Sequence, residues 1–118
     1  MCIRDRSGGV FKSRNPVKNG IVVNGDHVKA YGLAVEHTLE DLTVWNGDDG
    51  LVLFYQSEFP YDVTQENYGS KGYVSYRVSD QVNTHTAMGI GAYTFFRDYD
   101  VTVKSGLHAP SGKPGIDI

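Results

Sequence analysis

Cysteine is almost missing from this chain of 118 residues: the single thiol, Cys2, lies in an opening "MCIRDR" that does not read like the remainder of the chain. Met1 to Arg6 have the character of a translated sequencing adapter and are set aside as foreign, which leaves no disulfide framework, no Cys metal site and no Cys nucleophile. With that opening removed, the true N-terminus is expected upstream, and the lack of a signal peptide carries no information. The closing segment, 111–118, is Gly/Pro-rich and is expected to be a loop or a truncated end. Residues 7–110 are expected to form part of one domain. Also lacking is any apolar run long enough to span a bilayer. Basic residues are few and dispersed: outside the opening there are 9 Lys+Arg against 13 Asp+Glu, with Lys12, Arg14 and Lys18 the nearest thing to a cationic patch. Nucleic acid and membrane are therefore not expected as partners. Helical patterning is confined to "EHTLEDL", too short to stand alone in water.

Glycine and aromatic residues are what the chain has in excess, with 14 Gly, 8 Tyr and 5 Phe. That pairing suits strands joined by tight turns. Strand patterns recur in "GIVVNG", "VKAYGLAVEH", "LTVWNG", "LVLFYQSEF", "GYVSYRV", "IGAYTFF" and "VTVKSG", separated by "NGD", "NGDDG", "PYDVTQENYGSKG" and "RDYD". The fold class is all-β.

One stretch is repeated. "VVNGDHVKAYGLAVEH" (22–37) returns as "VWNGDDGLVLFYQSEF" (44–59), so that at an offset of 22 Val22 falls on Val44, Asn24 on Asn46, Gly25 on Gly47, Asp26 on Asp48 and Glu36 on Glu58. A repeat of this length in a helix-poor chain predicts a solenoid, here a right-handed parallel β-helix. An antiparallel β-sandwich, with Asn-Gly turns recurring between its strands, is the alternative.

In a solenoid, residues one period apart stack at about 4.8 Å. Tyr31, Leu33 and Val35 would then lie under Leu53, Tyr55 and Ser57 on the inner face, with Ala30, Gly32, Ala34 and Glu36 sharing the outer face with Val52, Phe54, Gln56 and Glu58. Asn24 and Asn46 would form an amide ladder. The stacked Glu36 and Glu58 would repel by roughly 3 to 4 kcal/mol at an effective dielectric near 20, which favours one protonated acid beside one ionised carboxylate. Glycoside cleavage needs such a pair, and the coil spacing formally suits a retaining arrangement better than an inverting one. Two exposed acids on a solvated strand end would share the same spacing. Asp62 is a third acid near this edge. Trp45 and Tyr61 offer flat faces for sugar rings, or core packing, while Tyr55 reads as core. Gln56, His37 and His85 are candidates for bonding hydroxyls. Asp98 and Asp100 in "RDYD" are further polar candidates. Four histidines at irregular spacing make no metal site, and no cofactor is expected.

"YGLAVEHTLEDLTVWNGDDGLVLFYQSEFPYDV", "GYVSYRV", "THTAMGIGAYTFFRDYDVTV" and "SGLHAP" together resemble secreted microbial carbohydrate-active proteins with parallel β-helices. These are often labelled "coagulation factor 5/8 type domain-containing", and they are similar to exo-β-1,3-glucanases of glycoside hydrolase family 55 and to α-1,3-glucanases. The resemblance implies an extracellular protein, monomeric at full length, acting on a glucan-like polysaccharide, with Glu36, His37, Glu58 and Asp62 at recurring polar positions. It also marks a departure: "THTAMG" stands where "THEAWG" is expected, so Thr86 replaces an acid and Met88 a tryptophan. Two functions are open, a glucan-cleaving hydrolase and a non-catalytic glycan-binding β-helix. A polysaccharide lyase is a weaker third, since no Ca²⁺-type acid cluster and no basic cleft residue is evident.

Overall fold

The structure, a computed structural model, describes residues 9–12 and 15–118. The opening hexapeptide, Ser7, Gly8 and Arg14 fall outside the described residues. Among the described residues eight strands succeed one another: β1 (Ile21–Val23), β2 (Lys29–Glu36), β3 (Thr43–Trp45), β4 (Gly50–Glu58), β5 (Tyr76–Val78), β6 (Thr84–Tyr93), β7 (Leu107–His108) and β8 (Gly115–Asp117), with 3-10 turns at Val10–Lys12 and Gly69–Lys71. Odd strands form one sheet in the order β1-β3-β5-β7 and even strands a second in the order β2-β4-β6-β8. Every described pairing is parallel. A chain that alternates between two all-parallel sheets in this way is winding as a solenoid, so the parallel β-helix holds and the sandwich does not.

The register is the one the repeat predicts, with Val22 beside Val44 and Glu36 beside Glu58. The turns between odd and even strands explain why it is kept. Asn46 Nδ2 donates to Asn24 Oδ1 at 2.7 Å, and the Asp48 amide donates to Asp26 Oδ1 at 2.8 Å. Left-handed backbone recurs one period apart, at His27 (φ 59°) and Asp49 (φ 55°). Beyond the second coil the period stretches: Thr43 pairs with Tyr76 and Gly50 with His85. The extra residues lie mainly in 59–75 and 94–106, which leave from the same edge as the short connection 37–42. Loop growth at one corner lengthens a coil without breaking its stacking.

Inside, Trp45, Tyr55, Tyr68, Tyr76 and Phe59 fill the space between the sheets with Leu42, Val52, Val63, Val78 and Val82. The Tyr55 hydroxyl accepts from Thr43 Oγ1 at 3.0 Å and donates to the Ser75 carbonyl at 2.9 Å, so its buried oxygen is satisfied.

Three expectations need correction. The inner and outer faces change places partway along the even strands. Val52 is fully buried and Tyr31 is 65% exposed, whereas Tyr55 and Ser57 are buried as expected. The cause is a left-handed residue at one height in each coil, Gly32 (φ 67°), Phe54 (φ 60°) and Gly89 (φ 71°), which bends the strand and reverses the alternation. Second, "VTVKSG" is not a strand, although Val101 packs into the core; β7 begins at Leu107. Third, the segment expected as a loop or end carries β8, paired with the start of β6. "EHTLEDL" forms no helix, and its Leu39 and Glu40 amides donate to Val17 and Lys18 instead.

Coil stacking leaves no room at Gly47, where a Cβ would sit 2.0 Å from the Gly25 carbonyl oxygen. The atoms it would meet are backbone of the neighbouring coil, so Gly47→Ala must push two coils apart and is expected to cost about 3 kcal/mol in urea unfolding. Gly25→Ala meets only Val28 at an ordinary 3.6 Å and should cost far less. Equal losses would show that the turn stacking does not hold the coils.

Candidate functional site

Glu36 and Glu58 close β2 and β4 in register, and Tyr93 closes β6 beside Glu58. The hydrogen-bond ladder runs one residue past the strands, from the His37 amide to the Glu58 carbonyl and from the Phe59 amide to the Tyr93 carbonyl, both at 3.0 Å. The two carboxylate-bearing residues are thereby held one coil apart, about 4.8 Å along the stack. They differ in access, since Glu36 is 5% exposed and the Glu58 side chain 22%. Glu58 is the more accessible of the two acids.

The corner loops build a collar around it. The Tyr61 hydroxyl donates to Glu58 Oε2 at 2.9 Å, His37 Nε2 lies 3.7 Å from the same oxygen, and the His37 and Tyr61 rings meet edge to face at 4.3 Å. Behind Tyr61, the Arg97 guanidinium sits 5.4 Å from the ring centroid and Phe95 packs edge-on at 5.6 Å. Asp98 anchors this layer by accepting from Arg97 Nε at 2.6 Å and Nη2 at 3.1 Å and from Lys12 Nζ at 2.8 Å. Bonds from Arg97 and Lys12 hold the Asp98 carboxyl well below the usual carboxylate range.

The structure thus brings Glu36, His37, Glu58 and Tyr61 together. Asp62 is next in sequence but turned away: it is buried, and its Oδ2 takes the amides of Phe11 at 3.0 Å and Lys12 at 3.1 Å. Its hydrogen bonds tie down the 3-10 turn at Val10–Lys12 instead of joining the carboxylate pair. Trp45 and His85 are corrections. Both are core residues, 0% and 1% exposed, packed edge to face at 5.0 Å, with His85 Nε2 bonded to the Tyr76 hydroxyl at 2.7 Å. Gly50 exists to admit them, because a Cβ there would lie 2.3 Å from Trp45 Nε1 and 2.4 Å from His85 Nδ1. Neither side chain can meet a surface ligand.

Gln56 is exposed and belongs to a groove of about 420 Å³ on the outer face of the even sheet, lined by Gly32, Ala34, Phe54, Gln56, Gly91 and Tyr93 among others. Tyr93 and Arg97 are not among the site residues expected from the sequence. Gly32, one period before Phe54, was the available signal for the bend, since a glycine inside an alternating run marks a change of backbone direction. Thr86 pairs with Leu51, and Glu58 pairs with Tyr93 seven residues further along β6. That separation is on the order of 20 Å, so an acid at Thr86 would not belong to the carboxylate pair.

These features define a parallel β-helix with a carboxylate pair at one loop-rich corner. Residues 2–58 match the model of the LAM55 pectate lyase-like domain. An exo-beta-1,3-glucanase of Streptomyces sp. (strain SirexAA-E / ActE) is 38% identical over 117 residues, covering 95% of this chain and 19% of the relative. The structure of sacteLam55A from Streptomyces sp. SirexAA-E superposes with a TM-score of 0.80 at 39% identity, over 86% of this chain and 19% of that one. A Glu→Ala variant of sacteLam55A in complex with glucose gives 0.78 at 37% identity, over the same shares of the two chains. The chain is similar, by these matches, to glycoside hydrolase family 55-like parallel β-helix proteins. It spans about a fifth of the length of these relatives.

Burial of His85 has a consequence for pH. Desolvation holds the imidazole down to about 4, against an ordinary 6.5. As pH falls below 6.5 the unfolded chain takes up this proton while the folded chain does not until near 4, so stability is lost across that window, by up to roughly 3 kcal/mol. Urea unfolding at pH 7 and pH 5 should show a larger loss for the wild type than for His85→Gln. Parallel losses in the two proteins would place the pH sensitivity elsewhere.

Proposed function

We propose that this segment carries the paired carboxylates of a secreted glycoside hydrolase acting on β-1,3-glucan, with Glu58 as the acid in contact with substrate and Glu36 as its partner. The observation that carries the reading is the in-register pair, in which the more accessible member is fixed by Tyr61. The named activity of the Streptomyces relative and the glucose complex of its variant support the substrate class.

In such a site one carboxyl gives its proton to the glycosidic oxygen as the bond to the anomeric carbon breaks. The other carboxylate balances the positive charge on the sugar ring, and water then bonds to the anomeric carbon while its proton passes to the carboxylate that the first acid left behind. Tyr61 and His37 set the direction of the Glu58 carboxylate, and the Arg97–Asp98–Lys12 chain holds Tyr61 in place. Polymer of this kind cannot cross a membrane, so the protein works outside the cell.

In any protein carrying this segment that releases glucose from laminarin, Glu58→Gln is expected to lower turnover by about 10²- to 10⁴-fold, the range of a lost general acid or base. Retention on insoluble β-1,3-glucan should be unchanged. Tyr61→Phe should lower turnover less and shift the pH profile, since it removes one bond to Glu58 and no acid. Undiminished turnover in Glu58→Gln would overturn the assignment. Retention on glucan with no sugar release from the wild type would favour a non-catalytic binding module.

A further inference from the structure

We propose that Phe54 and Tyr93 form an aromatic subsite for a glucosyl ring in the groove beside Glu58, so that the outer face of β4 reads the glucan chain as well as cleaving it. The inference rests on the carboxylate reading for its ligand class and on separate observations for its location.

Phe54 is placed against two ordinary preferences. It is 76% exposed, the highest value among the large apolar side chains, and it adopts a left-handed backbone at φ 60°, where a bulky residue is a genuine outlier. The coils on either side use glycine at the same height, Gly32 and Gly89, which meet the bend without strain. A residue that strains its backbone in order to display a ring to water gives nothing to the core, and such outliers concentrate at ligand sites.

The neighbours are cut back around that ring. A Cβ at Gly32 would meet nothing within 4 Å, so the side of Phe54 toward the first coil is open; a Cβ at Gly89 would press to 3.4 Å of Phe54 Cδ1. One step further along, the exposed Gln56 amide lies between Ala34 and Gly91, and a Cβ on Gly91 would come within 3.4 Å of the Tyr93 ring. Tyr93 is itself 57% exposed and lines the same groove. Two aromatic faces with a side-chain amide between them suit a sugar, whose ring presents C–H bonds to the aromatics and hydroxyls to the amide.

Continuity supplies the link to chemistry. Phe54, Gln56 and Glu58 alternate along β4, and Tyr93 pairs with Glu58. Phe54 to Glu58 is four residues, about 13 Å of strand. A glucan lying along this face would place one ring on Phe54 and a later linkage at Glu58.

The test uses the 118-residue chain, with laminarin and laminaritetraose as probes in titration calorimetry and with thermal unfolding followed in parallel. Phe54→Gly should weaken binding at least tenfold without lowering the melting temperature, because glycine relaxes the bend. Phe54→Tyr should bind within twofold of the wild type. Binding that is unchanged in Phe54→Gly, or a wild-type chain that binds neither probe, would overturn the subsite and leave the role of Glu58 standing or falling on turnover alone. A Phe54→Gly protein that melts much lower while binding normally would make the residue structural, which also overturns it. Loss of binding in Phe54→Gly, together with the absence of hydrolysis by any protein carrying the segment, would uphold the subsite and overturn the hydrolase reading.

Discussion

Coil-to-coil hydrogen bonding in fixed register is the constraint on which the rest of this structure depends. Parallel strands leave their amides and carbonyls pointing up and down the stack, and each coil is satisfied only by the one above and below. The turn at Asn46–Asp49 enforces the register in three ways: an amide ladder to Asn24, a carboxylate of Asp26 taking the Asp48 amide, and a glycine at 47 that lets the backbones touch. Asp48 repeats the device one coil on, accepting the Asn83 and Thr84 amides, and those bonds hold its carboxyl below the usual range. Shifting this turn by one residue would move every side chain of β4 to the opposite face.

That rigidity is what makes a site possible at the corner. Because the strands are pinned elsewhere, the loops at 59–75 and 94–106 can grow and fold over the strand ends without loosening them. Glu36 and Glu58 inherit their mutual position from the ladder, and the collar of Tyr61, Arg97 and Asp98 is supplied by the loops. Scaffold and chemistry are thus separable along the chain: the ladder sets the spacing of the acids, and the loops set their orientation and access.

How much of this could be read from the residues varies by feature. The stacking of Val22 on Val44 and of Glu36 on Glu58 was legible because Asn, Gly and Asp recur at the turn, where backbone demands restrict the choice of residue. The reversal of faces at Phe54 was signalled only by Gly32 one period earlier, because a single left-handed residue inverts a period-two pattern while leaving the apolar run "LVLFY" intact. Trp45 misled for a related reason: it shares a face with Thr43, opposite Val44, and its interior place depends on Gly50 and His85, which come from other parts of the coil path. Asp62 is adjacent in sequence to the collar, but its partners, the Phe11 and Lys12 amides, lie some fifty residues away. Long-range partners of this kind leave no local signature.

The decisive measurement is a crystal structure of the chain carrying Glu58→Gln and soaked with laminaritetraose. One glucosyl ring should be stacked on Phe54, with a glycosidic oxygen within hydrogen-bond distance of residue 58. Sugar bound on the odd sheet, or a ligand on the even sheet that touches neither Phe54 nor residue 58, would contradict both the subsite and the carboxylate assignment.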